Sequence, residues 1–430
     1  MNTLQVIGIL GIFAVLVILM MTRKIPTILA LPIMAVGIAL VAGIPFISSD
    51  KETFTIAKDV LEGGAMRMST AIAGLIFGGW FGKMLTKIGV TRTIIRKAAE
   101  LAGDKPLPIA LAFLVVCSII FAASNGLGMV ILVGTIILPI MISAGISPLV
   151  SGIVLLLANG IGVTFSVGTL GVYIDVLGLP LGTVTAYSWL CGIPLIIVAI
   201  IMIVVSIKFS GKTSKAWAMP SLGADVVTSD KNVRTIALIS PIIPVVLVFA
   251  FKMPLVPAIL IGIAASLILA TPKNPIQIVS SAFIEGIQDT AGAAALMIGI
   301  GMTLKSVMAP QVAEILQPVI SAIIPSSPFM FIIVFGLLSP LAIYRGPLNV
   351  WGLGSGVVAL LAAAGMNPVA AMVALRLDSN VQAVCDPTNS HNVWISDFTK
   401  TDVNEYLKKT IIWIAISTFV GLIAASFMVF

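Results

Sequence analysis

Four ionisable residues lie in or beside stretches of sequence that are otherwise apolar: Arg345, Arg376, Asp378 and Asp386. Ionisable side chains at membrane depth are costly, and they usually mark a substrate pathway or a charged partner. The always-charged, planar guanidinium of arginine suits a carboxylate, whereas an aspartate binds or releases a proton as its surroundings change. These residue types indicate an anion site beside a cation-coupling site. The alternative is that Arg376 and Asp378 only satisfy structural charges.

Polar breaks interrupt the apolar runs at four places: Ser124–Leu127, Tyr344–Pro347, Asn159–Thr169, and Asp378–Asn380 together with Cys385–Asn392. Backbone that leaves helical geometry at membrane depth must be buried in protein or line a watery cavity. Helix N-termini at such breaks attract an anion, and free carbonyl and carboxylate oxygens suit a small cation. The alternative is that the Ser and Asn side chains only bond to neighbouring helices.

The residues predicted to bind substrate are those at the breaks, together with the two arginines: Ser124, Asn125, Gly126, Asn159, Thr164, Arg345, Gly346, Arg376, Ser379, Asn380, Thr388 and Asn389. The residues predicted to couple a cation are Asp378 and Asp386.

Several other kinds of chemistry find little support in the sequence. The three cysteines stand apart and there is one histidine, so neither a disulfide framework nor a histidine-ligated metal centre is expected. No HExxH or GxSG motif and no ATP-binding loop occurs, so we expect no enzyme, and any pumping must use an ion gradient. No cofactor is expected apart from a bound Na⁺. The net charge of +7 follows from basic loops and does not indicate a nucleic-acid partner.

The elements that must position these residues are apolar. Of the 430 residues, 59% are hydrophobic and 10% are charged, whereas soluble domains carry about 25% charged residues. Lipid is therefore the solvent for much of the chain. The clearest apolar runs are each close to the ~17–25 residues that cross a bilayer: Leu4–Met21, Pro26–Ile44, Tyr187–Phe209, Thr235–Phe251, Pro254–Ala270 and Thr410–Phe430.

Loop charges predict the orientation. Arg23 and Lys24 follow the first run, a basic group from Lys83 to Lys105 follows the third span, and Gly211–Arg234 forms a polar link. The positive-inside rule places these segments in the cytoplasm and both termini outside, which requires an odd number of crossings in each half.

The two halves resemble each other at a nearly constant offset. The pentapeptide at Ala144–Pro148 recurs at Ala364–Pro368, a shift of 220, and Lys83 falls on Lys305 at 222. We predict a duplication with a first repeat over residues 1–210, a cytoplasmic linker over 211–234 and a second repeat over 235–430. An odd number of crossings inverts the second copy, as in many secondary transporters.

The odd number of membrane crossings in each half comes from a segment that enters the membrane without crossing it. Pro108–Ala123 and Gly128–Ser143 form two arms of a re-entrant hairpin, and Pro328–Ile343 with an arm from Leu348 forms its counterpart. Two full helices joined by a tight loop are the alternative. The predicted fold is an all-α polytopic membrane protein of two inverted repeats, each with about five membrane-crossing helices, one re-entrant hairpin and broken helices.

The sequence resembles the gluconate permease and citrate–metal symporter branch of the ion transporter superfamily. The resemblance rests on Leu75–Gly89, Ala123–Gly126 and Ile137–Pro148. It implies a homodimer whose transport domain moves in an elevator-like manner. The Ser124-Asn125-Gly126 tip and the Asn159 break would form one half of the site, and the second tip with Ser379-Asn380 would form the other. The second tip departs from the Ser-Asn-Thr signature of the dicarboxylate branch.

The leading hypothesis is H⁺- or Na⁺-coupled symport of a small organic anion, a carboxylate or sugar acid, across the inner membrane. A Na⁺/H⁺ antiporter without an organic substrate is the alternative. A membrane enzyme and a channel fit less well, since inverted repeats with symmetric breaks favour alternating access. The expected partners are the anion, the coupling cation, membrane lipid and a second copy of the chain.

Overall fold

The computed structural model describes residues 3–22, 24–50, 52–103, 105–208, 233–321, 324–344, 346–351 and 354–430. Arg345 and nearly all of the predicted linker, residues 211–232, lie outside the described residues. The described part of the chain is helical and contains no strand. This confirms the all-α class.

The first half of the chain forms ten α-helices among its described residues. They are α1 Thr3–Met21, α2 Thr27–Val41, α3 Gly63–Arg67, α4 Ser69–Ile88, α5 Val90–Ala102, α6 Pro106–Ala123, α7 Leu127–Ser143, α8 Pro148–Phe165, α9 Val167–Leu177 and α10 Leu181–Lys208. A π-helical turn, Ile56–Glu62, leads directly into α3.

The described residues of the second half form nine further α-helices. They are α11 Ile242–Phe249, α12 Leu255–Ala270, α13 Pro275–Val307, α14 Pro310–Ser321, α15 Pro328–Leu338, α16 Gly354–Ala363, α17 Pro368–Cys385, α18 Ser390–Thr399 and α19 Val403–Val429. Two 3₁₀ turns, Thr235–Ile239 and Ser339–Ala342, precede α11 and follow α15.

Local sequence sets several of these helix starts. Proline occupies the first turn of α6, α8, α13, α15 and α17, where its missing N–H is not needed. Ser147 and Asn367 cap α8 and α17 by accepting hydrogen bonds from Val150 N at 3.4 Å and Val369 N at 2.9 Å. These two long helices therefore begin in the same way.

Helices from the two halves pack against each other in two apolar cores. In the first core, α13 packs on α2 and α4, and residues such as Leu31, Phe81 and Ile300 are buried. In the second, α8 packs on α6, α10 and α17, around buried Phe121 and Leu156. Both cores draw side chains from both halves of the sequence.

The predicted helix over Thr235–Phe251 is wrong as a single element. A 3₁₀ turn ends at Ile239 and α11 starts at Ile242. Pro241 has no N–H to continue a hydrogen-bonded ladder, and Ser240 closes the turn by donating to the carbonyl of Ala237 at 2.7 Å. The run therefore forms two short elements.

The two tips differ from each other. At the first tip α6 ends at Ala123 and α7 begins at Leu127, as the sequence predicts. The second predicted arm, starting near Leu348, is wrong: the described residues from Gly346 to Trp351 are turns, and α16 starts at Gly354. Asn349 accounts for the later start of α16, because its side chain stabilises the turns before it. The side chain donates to Ala342 O at 3.1 Å and accepts from Trp351 N at 2.9 Å.

Lys83 and Lys87 correct the predicted cytoplasmic basic group. Both lie inside α4, and their ammonium groups contact carboxylates of α13. Lys83 Nζ is 2.8 Å from Asp289 Oδ2, and Lys87 Nζ is 2.6 Å from Glu285 Oε1. They form ion pairs between two helices and do not belong to a loop.

Candidate functional site

The two most deeply buried long helices, α8 and α17, pack against each other in an antiparallel manner. Gly160 of α8 lies against Val384 of α17, and Thr164 Oγ1 donates to Asn380 Oδ1 at 2.9 Å. Advancing four residues along α8 therefore corresponds to moving back four residues along α17. Six of the predicted site residues lie on these two helices: Asn159, Thr164, Arg376, Asp378, Ser379 and Asn380.

Two of the predicted breaks are wrong in extent. Asn159–Thr164 continues α8, which ends only at Phe165, and the break is confined to Ser166. Asp378–Asn380 lies inside α17. These polar residues are enclosed by other helices, so they do not need to leave helical geometry to escape lipid. The break at Asp386–Asn389 is confirmed, and Pro387 accounts for it.

Arg376 is almost fully buried, with 1% of its surface exposed. Its Nη2 donates to the main-chain carbonyl of Thr164, close to where α8 ends at the Ser166 break. The guanidinium carbon lies 4.6 Å from the centroid of the Tyr173 ring, a cation–π distance. Its Nε and Nη1 have no hydrogen-bond partner. Arg376 therefore offers two unused donors in a buried place.

Ser379 and Asn380 lie on the same side of α17 as Arg376. Ser379 Oγ donates to the carbonyl of Arg376 at 2.6 Å and is 3.3 Å from the Tyr173 hydroxyl. The Nδ2 of Asn380 is buried without an acceptor. Together with Thr164 these residues form what we call the arginine cluster: Thr164, Tyr173, Arg376, Ser379 and Asn380.

Tyr173 is the member of this cluster that the sequence analysis missed. It lies in α9, one of the helices next to a break, and is 6% exposed. A buried tyrosine hydroxyl usually needs a polar partner. The feature of the sequence that could have identified it is a tyrosine in an apolar helix, seven residues after Ser166.

The first tip contacts the first break. Asn125 Nδ2 donates to Ser166 Oγ at 2.7 Å, while Ser124 packs against Gly82 of α4. Gly126 has φ +123°, a conformation that glycine adopts without steric cost. The predicted residues Ser124, Asn125 and Gly126 thus lie beside the α8–α9 junction. Asn159 is 1% exposed, and neither of its amide atoms has a partner.

The second tip contacts the second break through Asp386. Its Oδ1 accepts from Tyr344 N at 3.1 Å, from Thr388 N at 2.8 Å and from Thr388 Oγ1 at 2.7 Å. Gly346 N donates to Ile343 O at 3.0 Å. Asn389 caps α18 by accepting from His391 N at 3.4 Å. The side chains of Asp386, Thr388 and Asn389 therefore stabilise these turns. Asp386 has hydrogen-bond partners, whereas neither carboxylate oxygen of Asp378 has one.

Asp378 is the least satisfied of the predicted site residues. It is fully buried, and neither carboxylate oxygen has a hydrogen-bond partner. Within the described part of the chain it forms no ion pair with Arg376, although only one residue separates them in sequence. A buried carboxylate without compensation is costly. Its position demands a proton, a cation or water.

The described residues contain no group of three or more His, Cys, Asp or Glu side chains that would hold a metal ion. The polar groups of the site are hydroxyls, amides, one guanidinium and one bare carboxylate. Such a set binds anions and hard cations through hydrogen bonds and charge.

Among the described residues, seven helices are long and apolar enough to cross a membrane. They are Thr3–Met20, Ile56–Ile88, Pro106–Ala123, Pro148–Phe165, Leu181–Lys208, Pro275–Val307 and Val403–Val429. These features define a multi-pass membrane protein. No protein-family model matches the chain, and no curated protein matches it at a significant level.

Proposed function

We propose that the protein is a secondary active transporter that couples H⁺ or Na⁺ to the symport of a small organic anion. The observation that carries this proposal is Arg376. A buried guanidinium whose Nε and Nη1 have no partner is complementary in charge to a carboxylate, which binds arginine through charge-assisted hydrogen bonds. The hydroxyls of Tyr173 and Ser379 and the amide of Asn380 supply further partners.

The bonding of Arg376 also fits a preformed anion site. One guanidinium nitrogen of Arg376, Nη2, donates to the carbonyl of Thr164 near the end of α8, and the other two nitrogens have no partner. Cations near the C-terminus of a helix are stabilised by the free carbonyls there. Arg376 is thereby held in place without a carboxylate partner, so an anion enters a preformed site.

We further propose that the fold is an inverted repeat, as the sequence predicts. The helical stretches Ile56–Ile88 and Pro275–Val307 both have 33 residues, and α8 and α17 both have 18 residues at an offset of 220. In each half a break, a short helix and a long helix follow. Matching lengths in matching order support duplication.

Contacts between equivalent helices support the inversion. Gly160–Val384 and Thr164–Asn380 exchange places under the shift of 220, since residue 160 maps onto 380 and residue 164 onto 384. A two-fold axis between antiparallel copies produces reciprocal contacts of this kind.

A second reciprocal pair lies between the 33-residue stretches. Gly64 lies against Gly301, and Gly79 lies against Gly286. Under a shift of 222, residue 64 maps onto 286 and residue 79 onto 301. Glycine at all four positions allows the backbones to approach closely. In both pairs the equivalent helices are antiparallel, which is the arrangement that an inverted repeat requires.

The tips and breaks follow the same relation. Asn125 binds Ser166 in the first half, and Tyr344 binds Asp386 in the second. Ser166 maps onto Asp386 at 220, and Asn125 maps onto the residue after Tyr344. We therefore propose that α6–α7 and the α15–α16 segment are equivalent re-entrant hairpins whose tips close on the breaks.

The test is a purified wild-type protein screened against organic acids by thermal shift, with and without Na⁺, followed by a pH-dye assay in proteoliposomes. A ligand that binds only the folded state stabilises it. We expect a carboxylate or sugar acid to raise the melting temperature and to drive proton or Na⁺ movement. Absence of any response to organic anions would refute the symport hypothesis.

A matched pair of variants isolates the role of the guanidinium. Arg376→Lys keeps the charge but loses the planar fork, and we expect it to lose the response to the anion. Arg67→Lys is the control, because Arg67 also donates to a main-chain carbonyl, that of Val176 in α9 at 3.3 Å, but lies outside the arginine cluster. An equal loss in both variants would assign Arg376 a structural role only.

The bare carboxylate of Asp378 favours a second candidate, a Na⁺/H⁺ antiporter without an organic substrate. Proton movement on adding Na⁺ alone to proteoliposomes, unchanged by any organic acid, would establish the antiporter. For either function we propose the inner membrane, a homodimer as the resemblance implies, and both termini outside as the loop charges predict.

A further inference from the structure

The seam between α17 and α19 contains three buried polar side chains without hydrogen-bond partners. Asp378 is fully buried, and Ser417 and Thr418 are each 1% exposed. Both carboxylate oxygens and both hydroxyl oxygens are unpartnered. Unpaired polar atoms of this kind are rare in folded proteins, and each calls for an explanation.

The helix register brings these side chains to one level. Thr410 Oγ1 of α19 lies 3.2 Å from Cys385 Sγ of α17. Further along, Leu377 packs against Gly421, so the two helices are antiparallel. Moving seven residues back from Cys385 and seven residues forward from Thr410 leads in the same direction along the seam. These steps end at Asp378 and Ser417.

These seven-residue steps also keep the side chains on the sides of α17 and α19 that face each other. Seven residues are nearly two turns of an α-helix, about 20° short of a whole number of turns. Asp378 therefore lies on nearly the same side of α17 as Cys385, and Ser417 on nearly the same side of α19 as Thr410. Thr418, the next residue, lies at the same level. Helix geometry thus places the Asp378 carboxylate and the Ser417 hydroxyl at one level of the seam, with the Thr418 hydroxyl about 100° further around α19.

The two hydroxyls behave differently from others on the same helix. Serine and threonine inside helices often donate to a carbonyl three or four residues earlier. On α19, Thr410 donates to Tyr406 O and Ser426 to Ile423 O, both at 2.7 Å. Ser417 and Thr418 make no such bond. Their hydroxyl oxygens are left free for a ligand.

The chemistry of the set identifies the ligand class. Carboxylate and hydroxyl oxygens are hard donors that suit a hard cation. One carboxylate balances one positive charge, whereas a divalent ion would remain undercompensated in a buried place. We propose that Asp378, Ser417 and Thr418 form a binding site for Na⁺ in the seam between α17 and α19.

This site lies on the other side of α17 from the arginine cluster. Arg376 and Asp378 are two residues apart, which separates their side chains by roughly 200° around the helix. Arg376 faces α8 and α9, and Asp378 faces α19. If the proposed symport holds, the cation and the anion do not touch, and a shift of α17 between its neighbours couples them.

The experiment measures Na⁺ binding by the purified full-length protein without any organic acid. Melting temperatures are recorded over a range of NaCl concentrations, with choline chloride keeping the ionic strength constant. The variants are Asp378→Asn and the double variant Ser417→Ala/Thr418→Val. Ser426→Ala is the matched control, because its hydroxyl is buried in the same helix but bonded to its own backbone.

We expect Na⁺ to raise the melting temperature of the wild type and of Ser426→Ala. Asp378→Asn should lose this response. The double variant, which carries the test if Asp378→Asn does not fold, should need at least tenfold more Na⁺ for half the effect. A wild type with the same melting temperature in Na⁺ and choline, or a double variant that responds like the wild type, overturns the proposal. A Na⁺ response without any response to organic anions refutes the symport but leaves this site standing.

Discussion

The hydroxyl of Thr164 donates a hydrogen bond of 2.9 Å to the side-chain oxygen of Asn380, 216 residues later in the chain. The bond joins α8 to α17 in a fully buried setting. It also lies beside Arg376, whose guanidinium binds the main-chain carbonyl of the same threonine. One residue of the first half thus positions two polar residues of the second.

The first prediction concerns this bond. Thr164→Val keeps the shape of the side chain but removes the donor, which leaves Asn380 Oδ1 buried without a partner. We expect a loss of roughly 1–3 kcal/mol in the free energy of unfolding. Adding Asn380→Leu should recover part of the loss, because both polar groups are then removed. Strictly additive losses in this double-mutant cycle, measured by thermal unfolding in detergent, would show that the bond contributes nothing.

The second prediction concerns the glycines between the 33-residue stretches. A Cβ at Gly286 would lie 2.5 Å from the main-chain nitrogen of Trp80, whereas a Cβ at Gly292 on the same helix meets nothing within 4 Å. Gly286→Ala should therefore destabilise the protein strongly, because backbone cannot move aside easily. Gly292→Ala should be neutral or stabilising by up to ~1 kcal/mol, from helix propensity. Similar melting temperatures for both variants would contradict the close approach of α4 and α13.

The third prediction separates two roles of Asp386. Its Oδ1 accepts three hydrogen bonds that tie the second tip to the second break. An asparagine oxygen accepts the same bonds, so Asp386→Asn should keep its melting temperature close to that of the wild type. Asp386→Ala removes the acceptor and should cost about 1 kcal/mol or more. If Asp386→Asn proves as unstable as Asp386→Ala, the charge itself matters and a coupling role becomes the better explanation.

The fourth prediction concerns orientation. Single cysteines placed at Asn2 and after Phe430 should both react with an impermeant thiol reagent added to intact cells. A cysteine at Lys212 should react only after permeabilisation. The native cysteines Cys117, Cys191 and Cys385 are all buried, so they should add little background. Labelling of the two termini from opposite sides would exclude the inverted repeat.

The sequence predicted much of the fold, because apolar length and proline placement are local signals. The starts of α8 and α17 and the tip at Ser124–Gly126 follow from Pro148, Pro368 and the polar residues themselves. The break at Asp386 was predictable because Pro387 cannot continue a helix.

The site was harder to predict, because enclosure by other helices is not a local property. Asn159 and Asp378 are polar, yet both remain helical since protein, and not lipid, surrounds them. Tyr173 and Ser417 were missed for the same reason. Each is ordinary in its own helix and gains its role only from the helix packed against it.

The burial of α17 beyond its first two residues has a consequence for how the protein tolerates substitution. Every residue from Ala370 to Cys385 is buried, whereas α19 exposes Ile412, Ile416, Val420 and Ile423 along one side. A scan of all single substitutions should therefore show a helical rhythm of tolerant and intolerant positions along α19. Along α17 the same scan should show no rhythm, because every direction is occupied. The helix that carries Arg376 and Asp378 therefore has little freedom to vary along most of its length.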